Sequence, residues 1–554
     1  MSDLAVTIIK ELSQAKNLDL FILDKLKRKL NKGSSSAMVD TTTLRKTYNK
    51  LVAAHVIEKN KELEDILTVK KIRSLSGVSI LTLLTMPFPC PGRCIYCPTE
   101  DRMPKSYVAS EPAAARALAL QFDPFTQISR RIAMLEGNGH ATDKNEIIIK
   151  GGTWSSYPKD YQQWFIKEIF AALNNPLRRA KKENLKNPYN RFEGDEKKNW
   201  SEKKLLREQK INETATRRCI GLTIETRPDF ISLHELKRLR DLGCTRVELG
   251  VQHTDDAVLT LIKRGHLRRH VVKCTQLLKD AGFKVDYHLM PGLPGSSPKK
   301  DFACAQDVFT SSDLQPDTIK LYPCVVMETA ELSQWLKSGH YKPLTTAQLI
   351  KLLSSIKSIV PPFVRIARVI RDIPSDEILE GNKTTNLRQD ILDYMKSKGL
   401  ACKCLRCREV GHREEVRSKN YELRTMFFQR SYEASGGQEY FLSFESKDEK
   451  VLYAFLRMRF PSGEASKVWD VFPELRNAAL VRELHTYGHL VPLSTRDKNA
   501  SQHKGLGKKL LAEAEKLAKK AGYEKMAIIA GIGVREYYQK QGYHLEGTYM
   551  IRNI

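Results

Sequence analysis

The chain has 554 residues, 41% of them hydrophobic, and carries 92 Lys and Arg against 65 Asp and Glu, a formal net charge of +27. That length admits two or three domains with cores of their own, and the basic excess points to a polyanionic partner, nucleic acid first. No apolar run approaches the roughly 20 residues of a membrane span and the N-terminus lacks the apolar core of a signal peptide, so no membrane partner and a cytoplasmic location are expected.

Eleven Cys in so long a chain exclude a disulfide scaffold, and six of them fall in two tight clusters suited to metals. Residues 1–75 read as short helices broken by the loop GSSSAMVDTTT, with Lys25, Lys27, Arg28, Lys29, Arg45 and Lys46 among the cations of a surface suited to phosphates. The apolar run Val78 to Met86 reads as a buried strand that ends just before MPFPCPGRCIYCPTE. In that loop Cys90, Cys94 and Cys97 offer three thiolates at C-x3-C-x2-C spacing and leave a fourth coordination position open, as a reactive cluster requires. A zinc knuckle is the weaker reading, because no fourth Cys or His lies nearby.

From 76 to about 330, the strand-like segments NEIIIKGGT, CIGLTIETRPD, RVELGVQ, KVDYHLMPGLPG and TIKLYPCVV alternate with helical stretches. Such alternation implies a parallel sheet, open or closed as a barrel, with its active site at the C-terminal strand ends, where the cysteine loop falls. Cys219, Cys244, Cys274 and Cys304 read as core thiols. The hydrophilic stretch between Pro176 and Arg218 reads either as an exposed or disordered insertion or, with Tyr189, Phe192 and Trp200 among its Lys and Arg, as a surface for unpaired bases. In GLACKCLRCREVGH the crowding of Cys402, Cys404 and Cys407 suits tetrahedral zinc, with His412 or Cys324 as the fourth ligand.

Beyond about 412 the segments EYFLSFES, KVLYAFLRMRF and AALVRELHTYG have an antiparallel texture. The run Gln502-x2-Gly505-x-Gly507 then opens an amphipathic helix with Leu510, Leu511 and Ala514 on one face, presenting free N–H groups and the positive end of a helix dipole to a diphosphate. A second strand, MAIIAGIG, follows, and then Tyr537, Tyr538 and the turn QKQGY.

The three-cysteine spacing resembles the signature of the radical S-adenosylmethionine (SAM) superfamily, and the order strand, glycine loop, helix, strand, late Tyr resembles the GNAT acetyltransferase superfamily. Together in one chain, with KIRSLSGVS, YVASEPAAARALALQFDPF, GHATDKNEIIIKGGTW and VRIARVIRDIP in order, they resemble one family over nearly the whole sequence: the catalytic third subunit of Elongator and its single-chain prokaryotic relatives. Two departures are the length and charge of 176–218 and a GLPG sequence in place of a DLPN-like turn.

The resemblance implies an α/β architecture: a basic helical tRNA-binding region at 1–75, a partial TIM-barrel-like radical SAM domain at 76–395 that includes 176–218, a zinc-binding linker at 396–412, and a GNAT domain at 413–554. It implies an acyltransferase that modifies C5 of the wobble uridine in the anticodon stem-loop of tRNA, acting alone or as a homodimer. A 4Fe-4S cluster and SAM would generate a radical on the acetyl methyl of acetyl-CoA. Residue roles follow the matching positions. Cys90, Cys94 and Cys97 would hold the cluster. Gly151, Gly152, Glu225 and Gln252 would meet SAM. Lys144, Glu483 to Thr486 (Glu483, Leu484, His485, Thr486) and Gly505 to Lys508 (Gly505, Leu506, Gly507, Lys508) would meet acetyl-CoA. Tyr538 would lie near the thioester, and Lys320 and Tyr322 would position substrate. Two rivals are a protein lysine acetyltransferase with a structural Fe-S domain and a non-catalytic tRNA-binding scaffold.

Overall fold

The computed structural model describes residues 3–15, 18–31, 38–69, 76–176, 202–412, 425–487 and 505–554. Seven strands form a curled, all-parallel half-barrel in sequence order: β1 (Ser79–Leu84), β2 (Lys144–Lys150), β3 (Arg218–Thr226), β4 (Arg246–Gln252), β5 (Lys284–Leu289), β6 (Thr318–Leu321) and β7 (Arg365–Arg368). The near-continuous burial of β4 and β5 is what a sheet covered on both faces produces. Helices such as Lys159–Asn174, Arg268–Asp280 and Thr346–Ser358 connect the strands. The last of these begins in a capping box in which Thr345 and Gln348 satisfy each other's backbone N–H groups.

The second sheet runs β13-β14-β12-β11-β10-β9-β8, with strands β8 (Thr425–Ala434), β9 (Gly437–Ser446), β10 (Leu452–Phe460), β11 (Ala478–Thr486), β12 (Lys525–Ile528), β13 (His544–Glu546) and β14 (Tyr549–Asn553). Only β11 and β12 pair in parallel, as expected of strands joined through a helix. That helix, Leu506–Lys520, turns Leu506, Leu510, Leu511, Ala514 and Ala518 into the core.

This sheet docks on the N-terminal ends of the parallel strands through buried ion pairs. Arg482 reaches Asp317 at 2.5 Å and the Phe283 carbonyl at 2.7 Å, Arg459 reaches Asp280 at 2.7 Å, and Lys284 reaches Glu483 at 3.0 Å.

The N-terminal helices Asp3–Gln14, Leu20–Asn31, Thr41–Ala53 and Lys61–Ile66 enclose a small core of Ile8, Ile9, Leu12, Leu44 and Leu63. Two members of the expected basic surface are turned inward: Arg45 donates to the Glu64 carbonyl at 2.7 Å and Lys27 to Thr41 at 3.0 Å. Lys25, Arg28, Lys29 and Lys46 remain exposed. The insertion is also shorter than the sequence suggested. Helix Glu202–Asn212 buries Leu205, Gln209 and Asn212, while Arg217 and Arg218 are spent on Glu136 and Glu536; its residues 177–201, with Tyr189, Phe192 and Trp200, lie outside the described residues. Among the described residues no helix is long and apolar enough to cross a membrane.

Candidate active site

The loop after β1 brings its three thiols to the C-terminal face of the half-barrel. Ile95 is pinned on both sides, its N–H to the Ile262 carbonyl and its carbonyl to the Leu332 N–H. Gly92 donates to Cys90 Sγ at 3.4 Å, and a Cβ at Gly92 would lie 2.7 Å from Arg227 Nη1. Arg264 donates to Cys94 Sγ at 3.4 Å. Burial alone would raise the Cys94 thiol, but the Arg264 guanidinium brings it below its ordinary value, whereas burial and the neighbouring Cys94 push Cys97 up to about 12.

Thr153 Oγ1 lies 3.8 Å from Cys90 Sγ and so places the turn after β2 beside the cysteines. In that turn Gly151 (φ 139°) and Gly152 (φ 55°) hold positive φ, and a Cβ on Gly151 would strike Thr85 Oγ1 at 1.9 Å. Among the buried polar atoms here without a hydrogen-bond partner are Arg227 Nη1 and Gln252 Oε1. Gln252 itself bends back at φ 69° where β4 ends. Three thiols, a glycine-bared backbone and two unpaired polar atoms fit a metal cluster with an amino-acid ligand. Arg227 and Arg264 escaped the sequence reading, which weighed cysteines and strand ends but had no signal for a guanidinium folded back onto them.

The barrel interior is charged. Lys150 pairs with Glu248 and, at 3.2 Å, with Glu225; His288 bridges the same two carboxylates at 3.3 Å and 3.1 Å; Lys320 meets Glu248 at 2.5 Å; and Tyr107 donates to Glu225 at 3.0 Å. Burial would raise the Glu225 carboxyl, and Lys150 and His288 hold it below the usual range. Burial brings Lys320 down to about 8, against the pull of Glu248. Glu225 and Lys320 are therefore committed to a buried network, while Tyr322 stands at the end of β6 with its ring edge-on to His288 at 5.4 Å.

Lys144 opens β2, six residues from Lys150, about 20 Å away at strand rise. It pairs in register with Arg218, against which Gly533 packs, and so stands at the junction with the second sheet, away from the cysteine loop.

In the second sheet β11 pairs with β12 only over Ala478–Val481. A register shift opposite Arg482 follows, and beyond Val481 the strand parts from β12 while its pairing with β10 continues through Glu483–Thr486. Gly505 (φ 73°) caps the helix Leu506–Lys520, and a Cβ on Gly507 would lie 3.2 Å from Tyr537 Oη and 3.7 Å from Thr486 Oγ1, so the glycine turn stands beside the end of β11. The side chain of Glu483 is engaged by Lys284 and Arg457, and the ring of His485 by the Ser76 carbonyl. Leu506 packs inward, Lys508 is exposed, and Gln502 is outside the described residues. Tyr538, singled out in the sequence, is buried in the sheet's core with Tyr543; its neighbour Tyr537 carries the hydroxyl that reaches the glycine turn.

The sulfurs of Cys402, Cys404 and Cys407 lie within 4.8 Å of one another. Cys324 is not their fourth partner. It is packed with Cys94, Val326 and Tyr341 in a separate cluster. The side chain of His412 is outside the described residues. Cys219, Cys244, Cys274 and Cys304 are buried core thiols, as expected.

A parallel half-barrel with three cysteines on the loop after its first strand defines a radical SAM enzyme. The Radical SAM superfamily model matches residues 89–302, and that of the radical SAM C-terminal domain matches 316–397. The chain is 41% identical to a tRNA uridine(34) acetyltransferase of Methanocaldococcus infernus, over 98% of this chain and 97% of the relative. It is 42% identical to that of Dehalococcoides mccartyi over 88% and 100%, and 34% identical to Elongator complex protein 3 of Homo sapiens over 100% and 96%. Its fold matches the archaeal M. infernus Elp3 with an N-terminal deletion (1–46) at a TM-score of 0.71 and 40% identity, covering 87% of this chain and 100% of that one. The chain belongs to the family of the tRNA uridine(34) acetyltransferases and Elongator complex protein 3, and is a radical SAM enzyme of the acyltransferase class.

Proposed function

We propose that this enzyme modifies the wobble uridine of tRNA, using acetyl-CoA as donor of a carboxymethyl-type group at C5. The observation that carries the proposal is the presence, in one chain, of the three-cysteine loop on the half-barrel and of a glycine-opened helix start beside β11 where that strand parts from β12. C5 of uridine is too weak a nucleophile for simple acyl transfer, so an acyl donor needs a radical partner. Held at Cys90, Cys94 and Cys97, a 4Fe-4S cluster with SAM would supply the radical chemistry that removes a hydrogen atom from the acetyl methyl; joining that carbon to C5 requires the adduct to lose the C5 proton and one electron, for which the oxidised cluster would be the acceptor, and water would cleave the thioester to a carboxylate and free CoA.

The residues divide this work. Arg227 Nη1, Gln252 Oε1 and the backbone at Gly151 and Gly152 bind the amino-acid end of SAM. The second unit acts as a GNAT domain. The backbone of β11 past its parting from β12, at Glu483–Thr486, meets the pantetheine amides, and the N–H groups from Leu506 to Lys508 take the pyrophosphate at the positive end of their helix. Tyr537, at the mouth of that turn, is the nearer candidate for contact with the thioester. Tyr322, edge-on to His288 at the end of β6, helps position substrate at the C-terminal face, while Lys320 pairs with Glu248 in the network beneath that face. Cys402, Cys404 and Cys407 hold zinc, and the exposed Lys25, Arg28, Lys29 and Lys46 meet the phosphates of the anticodon stem-loop, in the cytoplasm. Deuterium tests the reading: with acetyl-CoA labelled as CD3, 5′-deoxyadenosine isolated after turnover carries deuterium. Unlabelled 5′-deoxyadenosine alongside modified uridine would refute it.

A further inference from the structure

Near the cysteine loop, on the same C-terminal face, lies a cavity of about 310 Å³ between the segments that follow β6 and β7. Its walls are apolar, from Pro112, Pro323, Val325, Ile370, Ile373 and Pro374, with Arg371, Asn382 and Lys383 among its polar lining. That volume is at the lower end for small-molecule sites, of the order of 300–1,000 Å³, and suits one nucleobase with part of its sugar.

Arg371 is the informative wall. Its Nε and Nη2 donate to Glu111 at 3.3 Å and 2.6 Å, its Nη1 donates to Ser106 Oγ at 3.1 Å, and Nη2 also meets the Ser106 carbonyl. One face of the guanidinium is covered by the Tyr107 ring, 4.7 Å from Cζ. With its in-plane donors engaged and one face stacked, Arg371 presents to the cavity a rigid, planar, cationic face, the surface on which splayed-out RNA bases stack. Asn382 is also held, donating to the Thr384 carbonyl and accepting from Thr346. Lys383 is exposed at the rim, where a phosphate would pass. Through Tyr107, which donates to Glu225, this wall is tied to the charged barrel interior.

We propose that this cavity receives the target base itself, flipped out of a single-stranded RNA loop and stacked on Arg371 between the proline and aliphatic walls. The inference rests on the RNA substrate of the proposed function and adds the place where the base is held. Base flipping costs least in an unpaired loop, and an enzyme acting on a base ring needs such a pocket.

The test measures the affinity of the full-length protein for three fluorescent anticodon-type hairpins: one with uridine at the wobble position, one abasic there, and one abasic at the next position. The wild type binds the uridine hairpin about tenfold tighter than the wobble-abasic one, the order expected of one stacked base, and is indifferent to the other vacancy. Val325→Trp and Ile373→Trp fill the cavity from two half-buried positions, with folding checked by circular dichroism; each brings the uridine hairpin to the wobble-abasic affinity and leaves the latter unchanged. The cavity assignment is overturned if the wild type does not distinguish the wobble-abasic hairpin, if the loss follows the neighbouring base, or if the uridine preference survives in both filled variants. If no hairpin binds better than duplex RNA of equal length, the RNA reading falls as well.

Discussion

Glu248 carries more of the barrel interior than any other single side chain. Fully buried, it faces Lys150, Lys320 and His288, and Arg246 stands 4.0 Å away. Breaking a buried charge network from one side costs about 3–5 kcal/mol, because the partners stay buried without a counter-charge. Glu248→Leu is expected to lose that much stability in denaturant unfolding, and a loss under 1 kcal/mol would show that the cations find other partners. Buried thiols give a second expectation. Burial pushes Cys304 up to about 12, while the same thiol ionises near pH 8.5 once unfolded. Between those values the folded state holds the extra proton, so the thiol's contribution is intact below pH 8.5 and is lost as pH rises toward 12, at about 1.4 kcal/mol per pH unit. Cys304→Ala should therefore gain about 2 kcal/mol on the wild type between pH 8 and 10, and parallel pH profiles of the two would contradict this. At this scale the sequence specifies positions better than partners. The cysteine spacing marked the loop because one short segment supplies all its ligands, but Arg227 reaches it from just past the end of β3 and Arg264 from the loop before helix Arg268–Asp280, and of two adjacent tyrosines the fold turned Tyr538 inward and Tyr537 to the glycine turn.

Among the elements, the glycine-opened helix start is the most sensitive. The space at Gly507 is bounded by Tyr537, Thr486 and Leu484, so a branched side chain there crowds the turn proposed to hold the pyrophosphate. Gly507→Val is expected to raise the KM for acetyl-CoA at least tenfold and to leave SAM binding unchanged by calorimetry; an unaltered KM would place the acyl donor elsewhere. Elements were legible where burial left a pattern. VSILTLLTM is a largely apolar run with Leu81, Leu83 and Leu84 buried, while RVELGVQ alternates Val247, Leu249 and Val251 in the core with Glu248 in the charged interior. Strand β8 was not singled out, since it lies at the sheet edge with Met426 and Phe427 exposed beside Gln429 and Arg430. Helix Glu202–Asn212 was hidden for a related reason: only Leu205 among its buried residues is apolar, and its charge made it look like part of an exposed insertion.

The whole molecule depends on how the second sheet is fastened to the barrel. Arg482 alone meets Asp317, Glu439 and the Phe283 carbonyl, all without access to water. Arg482→Ala leaves two buried carboxylates facing each other and should split a single calorimetric unfolding transition into two, at a cost of about 3–5 kcal/mol; one unchanged transition would mean that apolar packing suffices. No sequence pattern announced this junction, because its charges are scattered among β5, β6, β9 and β11 and meet only in the fold. The same junction brings the glycine turn of the second sheet and the cysteine loop into one body, and the central claim is the proposal that the two serve one reaction. Nucleoside mass spectrometry tests it most directly, after anaerobic reconstitution with iron and sulfide and incubation with tRNA, SAM, reductant and acetyl-CoA. The wild type is predicted to yield a C5-substituted uridine bearing both acetyl carbons, and Cys94→Ala to yield none. No such nucleoside from the wild type, or equal amounts from both proteins, would contradict the account.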